Sequence, residues 1–216
     1  MPRVGEPLSI AVLVSGTGTN LQALLDTVHG REAQVVAVAS SAAGVPALER
    51  AAASDVPSAV FARADYEDRE ARDLALGDWL IERGVRLVVL AGYMELLGRS
   101  FLARFPNAVI NVHPSLLPAF PGIGAIGQAL TYGVKVFGVT VHFVDDGVDT
   151  GPVILQRAVE LPGAREQGEV LAALRPLEHG LLADAVRLLA RGALTVDPAN
   201  PRRLLADGPP AAAGEG

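Results

Sequence analysis

An asparagine and a histidine stand two residues apart at Asn111 and His113, in the segment AVINVHPSLLP. Side chains with this spacing point to the same side of an extended strand. Pro114 favours an extended backbone at His113 and the end of a strand there, and open α/β sheets bind ligands outside the carboxyl ends of their strands. An amide can donate to a developing oxyanion, and an imidazole can move a proton near neutral pH. The pair indicates attack on an acyl or formyl carbon; the alternative is that His113 is a satisfied core histidine.

A glycine-rich turn, SGTGTN, separates an apolar run from a helical pattern near the N-terminus. A helix start offers unpaired amide N–H groups, and glycine lets an anion approach them closely. The sequence lacks the third glycine of a dinucleotide fingerprint and the Gly-Lys-Ser/Thr ending of a triphosphate loop. It therefore predicts a phosphate site without either cofactor class, and the alternative is a tight turn that only joins strand to helix.

Three aspartates follow in the segment VHFVDDGVDTGPVI, at positions 145, 146 and 149. Aspartate and glycine are common in turns, so all three can be turn residues. Asp149 offers more, because a carboxylate close to His113 would favour the imidazolium. His142 in the same segment either lines the pocket or hydrogen-bonds within the sheet. The four histidines of the chain do not have the helical spacing of a zinc motif.

The elements that must position these residues form an alternating pattern. Valine-rich apolar runs, typical of buried strands, alternate with stretches of helical spacing. The runs predicted as strands are Leu8 to Val14, Gln34 to Ala39, Val85 to Ala91, Ala108 to Val112, Phe137 to Val144 and Val153 to Leu161. The pattern predicts an α/β fold, a single-domain open and mostly parallel twisted sheet with helices on both faces and an antiparallel C-terminal portion.

Helices are predicted at Asn20 to Val28, Pro46 to Ala53, Tyr66 to Arg83 and about Gln167 to Ala190, the last kinked or divided by Pro176. Proline and glycine crowd positions 114–124, which predicts a long loop there. From 196 to 216 proline, alanine and glycine dominate, so we expect a catalytic domain over 1–195 and a disordered C-terminal tail.

The composition excludes several classes of protein. The 216 residues carry a net charge of −6 and only one lysine, and the arginines are scattered, which argues against a nucleic-acid surface. There is no cysteine, so disulfide scaffolds, thiolate metal sites and cysteine nucleophiles are excluded. No apolar stretch reaches the roughly 18 residues of a membrane span, and the start lacks an export signal. We expect a cytoplasmic protein whose partners are small molecules, with neither nucleic acid nor membrane.

Five long segments, in this order and spacing, carry a resemblance to a known family: SGTGTNLQALL, LAGYMELL, INVHPSLLPAFPG, VHFVDDGVDTGPVILQ and LEHGLL. From about Ile10 to about Leu194 the chain resembles the phosphoribosylglycinamide formyltransferases, folate-dependent enzymes of purine synthesis. The resemblance implies that 10-formyltetrahydrofolate donates a formyl group to the amine of glycinamide ribonucleotide, without a metal, in a monomer or homodimer.

The same resemblance implies roles for individual residues. The catalytic trio falls on Asn111, His113 and Asp149. The ribonucleotide site falls on Gly16, Thr17, Gly18, Arg175 and Glu178, with Glu178 near the substrate amine. Folate contacts fall on Arg69, Met94, Glu95, Leu96, Leu97, Asn111, Asp145, Asp146, Gly147, Val148 and Asp149.

The sequence departs from the family pattern in two places. Gly124 and Gly127 stand where the family usually carries a histidine and a basic residue, which bears on the order or affinity of the folate loop. Glu95 stands where relatives often have arginine. Because the family holds the pterin there mainly through backbone groups, we expect the second change to cost little.

Three other functions remain as alternatives. Methionyl-tRNA formyltransferase shares the Asn-X-His-Pro and Asp features but would need a further domain and a basic face for tRNA. Formyltetrahydrofolate hydrolase would need a regulatory domain before the first strand. A non-catalytic phosphate-binding α/β module would need the glycine turn but no proton-moving histidine at a strand end.

Overall fold

The computed structural model describes residues 6–206 and contains one seven-stranded sheet with the strand order β3-β2-β1-β4-β5-β6-β7. The five strands β1 to β5 run parallel to one another, whereas β6 and β7 are antiparallel additions at one edge. The strands are Leu8–Val14 (β1), Ala33–Ser40 (β2), Ser58–Val60 (β3), Leu87–Leu90 (β4), Val109–His113 (β5), Val136–Phe143 (β6) and Val153–Glu160 (β7). The predicted fold class is confirmed.

In the described part of the chain six α-helices connect or follow the strands, and strands and helices alternate up to β5. The helices are Thr19–Thr27 (α1), Pro46–Ala53 (α2), Arg69–Glu82 (α3), Arg99–Leu102 (α4), Ala125–Tyr132 (α5) and Gln167–Ala190 (α6). Pro176 lies inside α6 without dividing it. Among residues 6–206, no helix has the length and apolar content to cross a membrane.

The side chains of β1 explain why helices cover both faces of the sheet. Ile10 and Val12 pack into one apolar cluster together with residues of α1, α2, α5 and α6, while Ala11 and Leu13 pack into a second with α3 and α4. All four are fully buried. Successive side chains of a strand point to opposite faces, so a continuous apolar run is satisfied only by a sheet with cover on both sides.

Several short elements were not predicted from the sequence pattern. β3 has three residues and α4 has four, too few to establish a period. α5 follows directly after the proline-rich loop and begins beyond Gly124, whose φ of +76° is left-handed. A residue with a Cβ is strained in this conformation, which gives a local reason for glycine at 124.

The expectation of disorder from residue 196 onward is wrong for the residues that the structure describes. Leu194–Asp197 (β8) and Asn200–Ala206 (β9) form an antiparallel hairpin in which Thr195 pairs with Leu205. The Arg202 guanidinium also donates to the Thr150 carbonyl. β9, with the sequence NPRRLLA, has no alternating apolar pattern that predicts a strand. The remainder of the predicted tail, 207–216, lies outside the described residues, and a catalytic domain over 1–195 stays a prediction.

Gly18 should be the most demanding glycine of the first turn, because its φ is +70° and a Cβ there would lie 2.6 Å from the Ala47 Cβ. Gly84 has a similar φ of +66° with open space around it, and so serves as a matched control. We expect Gly84→Ala to cost about 1 kcal/mol of unfolding free energy from backbone strain alone, and Gly18→Ala to cost at least about 1 kcal/mol more. Urea denaturation of both variants measures this, and equal losses would contradict the close packing of α1 on α2.

Candidate functional site

Asn111 and His113 lie at the carboxyl end of β5, where the parallel part of the sheet meets the antiparallel part. β5 pairs with β4 in parallel and with β6 in antiparallel register, which places Asn111 opposite His142. The Asn111 Nδ2 atom lies 3.2 Å from His142 Nε2. The register therefore brings a third polar side chain to the predicted pair from the neighbouring strand.

His113 is held between a carboxylate and a carbonyl. Its Nδ1 atom lies 3.3 Å from Asp149 Oδ2, and its Nε2 atom donates to the Phe120 carbonyl at 2.9 Å. The ring is only 5% exposed. His113 is thus buried, as its alternative interpretation required, but it is buried against Asp149, and both ring nitrogens face acceptors.

Asp149 lies in the loop between β6 and β7, where its own φ of +53° turns the chain back toward β5. Its Oδ2 atom accepts from the Gly122 amide at 2.7 Å. Burial by itself would raise the pKa of Asp149, but hydrogen bonds from His142 and from the Gly122 amide, with the charges of both histidines, lower it to about 2. Asp149 is therefore a carboxylate throughout the neutral range.

His142 and the Asn111 amide share one hydrogen-bonding arrangement. His142 Nδ1 donates to the Phe143 carbonyl at 2.8 Å, and its Nε2 lies 3.5 Å from Asp149 Oδ1. If the ring is neutral, Nε2 accepts a hydrogen bond from the Asn111 amide. If the ring is charged, Nε2 donates to Asp149 and can no longer accept from that amide. Asn111 Nδ2 also lies 3.4 Å from Asp149 Oδ1. The amide thus keeps one acceptor whatever the state of His142.

The glycine turn lies between the end of β1 and the start of α1. Gly18 is the residue before the helix, and the Thr17 carbonyl accepts from Arg50 Nε at 2.9 Å. No side chain caps the helix start, so its amides are directed to whatever occupies the turn. The geometry fits the predicted anion site, and the role of Gly16, Thr17 and Gly18 remains a proposal.

Glu178 on α6 lies against the first turn of α1, directly after the glycine turn. Asn20, in the first turn of α1, donates to Glu178 Oε2 at 3.3 Å, while the Asn20 Oδ1 atom is buried without a hydrogen-bond partner. Burial raises the pKa of Glu178, against the hydrogen bond from Asn20 and the positive charges of Arg175 and His113. Arg175 lies one helical turn before Glu178 and is exposed.

The predicted folate segment, Met94 to Leu97, is irregular backbone between β4 and α4. Met94 and Leu96 expose 66% and 60% of their surface, so both offer apolar contact area to a ligand. The Met94 amide donates to Ser15 Oγ at 2.9 Å, which joins this segment to the end of β1. Arg69 is exposed at the start of α3. Its guanidinium lies beside Gly98 at the end of the segment, since a Cβ built on that glycine would be 3.8 Å from Arg69 Nε.

The acidic loop has both turn-forming and site-forming residues. Asp145 Oδ1 accepts from the Gly147 amide at 3.0 Å and from Thr150 Oγ1 at 2.6 Å, which is the turn role. Asp146 pairs with Arg99 of α4 at 3.0 Å on the surface. A cavity of about 380 Å³ lies beside these residues, and its lining comprises Leu102, Phe105, Asn107, Val144, Asp145, Asp146 and Gly147. Val148 is half exposed at the tip of the loop.

The structure adds residues that the sequence did not assign. Asn20 and the Gly122 amide join the site. His142 is buried and hydrogen-bonds within the sheet, as the second of its two alternatives required, and its partner there is Asn111. An asparagine in the first turn of a helix has no signal that separates it from an ordinary cap residue. Within residues 6–206, no group of three or more histidine or acidic side chains is arranged to hold a metal ion. Metal-free chemistry stays a prediction of the sequence.

Residues 8–186 match the profile of the family described as formyl transferase. The chain belongs to this family. The match includes β1, the glycine turn, the Asn-His pair, the acidic loop and most of α6. The predicted formyltransferase resemblance is confirmed.

Individual relatives agree with the family assignment. The phosphoribosylglycinamide formyltransferase of Mycobacterium tuberculosis is 42% identical over 195 residues, which are 88% of this chain and 88% of that protein. The crystal structure of glycinamide ribonucleotide transformylase 1 from Symbiobacterium toebii is 43% identical with a TM-score of 0.87, covering 94% of this chain and 95% of that one. The trifunctional purine biosynthetic protein adenosine-3 of Drosophila pseudoobscura is 42% identical over 189 residues, which are 86% of this chain but only 14% of that longer protein.

The lowered pKa of Asp149 should make the unfolding free energy depend on pH in acid. A carboxyl group with a folded pKa near 2 and an unfolded pKa near 3.9 stabilises the fold by about 2 kcal/mol above pH 4, and this contribution is lost as the pH falls toward 2. We expect Asp149→Asn to lose that dependence between about pH 4 and pH 2. Urea denaturation as a function of pH measures it.

Asp55→Asn is the matched control for this experiment, because Asp55 also has a left-handed φ, +54°, but lies exposed on the surface. It should keep the pH dependence of the wild-type protein. A wild-type-like acid profile in Asp149→Asn would mean that Asp149 is not held as a carboxylate by its neighbours.

Proposed function

We propose that this chain transfers the formyl group of 10-formyltetrahydrofolate to the amine of glycinamide ribonucleotide, giving the formylated ribonucleotide and tetrahydrofolate in purine synthesis. The observation that carries the proposal is the convergence of Asn111, His113 and Asp149 at the end of β5. The similarity of this chain to the phosphoribosylglycinamide formyltransferase of Mycobacterium tuberculosis, over 88% of both chains, supports the proposal.

The trio can supply the proton transfer and the charge stabilisation that formyl transfer needs. The substrate amine attacks the formyl carbon, and an oxyanion forms on the formyl oxygen. Asn111 Nδ2 donates to this oxyanion with the N–H that in the ligand-free site faces His142. The amine loses a proton and the departing nitrogen of the folate gains one. His113 moves that proton through Nε2, which leaves the Phe120 carbonyl to do so, while Nδ1 stays on the Asp149 carboxylate.

Two further regions bind the substrates in this proposal. The turn at Gly16, Thr17 and Gly18 binds the ribonucleotide phosphate with its backbone amides, and Glu178 faces the substrate amine, with Arg175 beside it. The folate lies against Met94 to Leu97 and the loop 145–149. The exposed apolar surface of Met94 and Leu96 and the cavity beside α4 support this placement.

Two alternatives make different predictions for the same assay. A phosphate-binding module has no use for a carboxylate, an imidazole and an amide within hydrogen-bonding distance of each other at a strand end. A hydrolase would release tetrahydrofolate without an acceptor. Release of tetrahydrofolate, followed by absorbance, should require glycinamide ribonucleotide; equal release in its absence would point to hydrolysis, and ribonucleotide binding without release to the module. A cytoplasmic location and a monomeric or homodimeric state stay predictions of the sequence.

Asn111→Ala tests the oxyanion role. Loss of one preorganised oxyanion donor typically lowers turnover by about 10²–10³, so we expect kcat to fall by about that factor while ribonucleotide affinity, measured by calorimetry, stays within about threefold. Asn200→Ala is the matched control, because Asn200 lies in the C-terminal hairpin and caps only the Arg202 amide. Full turnover in Asn111→Ala would remove this residue from the mechanism.

Glu178→Gln tests whether the buried carboxylate is kept for the substrate. Burial raises the pKa of this carboxyl group because it disfavours the ionised form in the folded state. The unfolding free energy therefore falls as the pH rises through the folded pKa. At neutral pH the glutamine variant should therefore melt at a higher temperature than the wild type, yet bind the ribonucleotide more weakly. Glu160→Gln, on the exposed end of β7, should change neither property. A less stable Glu178→Gln would contradict the cost of this burial.

A further inference from the structure

A buried arginine lies directly behind the irregular segment 94–98. Arg72 belongs to the first turn of α3, and its side chain is fully buried. Its Nη2 atom donates to Asp73 Oδ1 at 2.7 Å and to the Leu96 carbonyl at 2.8 Å, and its Nη1 atom donates to Glu95 Oε2 at 2.6 Å. One guanidinium thus joins the helix to two successive residues of the segment.

Side chains, rather than other backbone groups, bind the Met94 and Gly98 amides of this segment. Asp73, which pairs with Arg72, accepts from the Gly98 amide with Oδ2 at 2.6 Å. Together the two side chains of α3 fix Glu95, Leu96 and Gly98, while Ser15 fixes the Met94 amide. The conformation of this surface segment therefore depends on a few side-chain contacts, and most of these lead to Arg72.

The electrostatics explain why arginine is required. A buried guanidinium is costly unless charged partners and hydrogen bonds compensate its desolvation, and here two carboxylates and a carbonyl do so. The planar guanidinium has five N–H donors and can serve the three acceptors together, which a lysine ammonium at the end of a flexible chain cannot do in the same geometry. Asp73 is fully buried, but the Glu95 side chain is 34% exposed. Glu95 is where the buried network reaches the surface.

The contact with the Leu96 carbonyl also has an electronic effect. A carbonyl that accepts from a charged donor is polarised, and the N–H of the same peptide unit becomes a stronger donor. That N–H belongs to Leu97. The side chains on either side of Glu95, those of Met94 and Leu96, stand exposed. The network thus both shapes the segment and strengthens a donor within it.

We infer that Arg72, acting with Asp73 and Glu95, is a positioning residue that holds the backbone of 94–98 in the conformation that receives the ring system of the folate substrate. This inference rests on the proposed function, because it needs folate at this segment. Arg72 itself is buried and acts only through Glu95, Leu96 and Asp73. Its loss should therefore affect folate recognition before it affects the chemistry at Asn111 and His113.

Glu95→Gln is the first test, because the side chain is partly exposed and the variant keeps the Arg72–Asp73 pair. It replaces a charged acceptor of the Arg72 guanidinium with a neutral one. We expect KM for 10-formyltetrahydrofolate to rise about tenfold, with kcat and the KM for glycinamide ribonucleotide within about twofold of wild type. Glu82→Gln, at the opposite end of α3, is the matched control and should leave all three constants unchanged.

Arg72→Lys and the double variant Arg72→Lys/Glu95→Gln separate positioning from direct contact. If Glu95 acts through Arg72, the two changes remove the same interaction, and the double variant should have a folate KM no higher than that of Arg72→Lys alone. Effects that multiply in the double variant would mean that Glu95 touches folate by itself, and would overturn the inference. Melting temperatures report whether Arg72→Lys has destabilised the fold. If it has, the folate KM of Glu95→Gln alone decides whether the positioning role holds.

These experiments also distinguish failure of the positioning role from failure of the proposed function. A wild-type protein that forms no formylated ribonucleotide overturns the proposed function and this inference with it. An active wild type whose Glu95→Gln variant keeps the wild-type folate KM overturns only the positioning role. A parallel rise in the KM of both substrates, or a fall in kcat without a change in folate KM, would also overturn it.

Discussion

The site depends on keeping the carboxylate of Asp149 ionised in a nearly dry environment. Burial opposes the charge, and the Gly122 amide and the two histidines outweigh that opposition. These partners come from three different parts of the chain: the loop after β5, the end of β5 itself and the neighbouring strand β6. An anion that needs all three to be compensated requires the loop, the strand end and the hairpin to be in place together.

The backbone around the site adopts conformations that non-glycine residues rarely take. Phe120, whose carbonyl accepts from His113, has a φ of +52°, and Asp149 has a φ of +53°. Such residues cost free energy and persist only where their surroundings fix them. The Gly122 amide and His113 Nδ1 hold the Asp149 carboxylate, and the other nitrogen of the same histidine holds the Phe120 carbonyl. The electrostatics and the strained turns therefore stabilise each other. A site built in this way is preorganised before any substrate arrives.

Two further ionic groups, away from Asp149, differ in how far their surroundings compensate them. The Arg72 network is internally compensated and forms part of the support for a surface segment. Glu178, in contrast, is half-buried with one weak partner, the Asn20 amide, and the other polar atom of that amide has none. Unsatisfied groups of this kind reduce stability, and they are retained where a ligand completes them. The hydrogen-bonding groups around Glu178 are thus less satisfied than those around Arg72.

The sequence by itself determined the layered fold, because continuous valine-rich runs such as Leu8 to Val14 are stable only between two covering layers, and the register of Asn111 and His113 follows from the period of a strand. It also indicated the glycine turn and the acidic loop, since glycine and aspartate have strong local preferences. Local patterns could not determine the partners of those residues: His142 opposite Asn111, Asn20 against Glu178 and Arg72 behind Glu95 are 31, 158 and 23 residues apart in the chain. The C-terminal hairpin was not predicted for a related reason: its strands are stabilised by pairing with each other and by a contact with Thr150, not by a strand-like composition. Contacts at such separations are set by how helices and strands pack, and only the tertiary structure decides them.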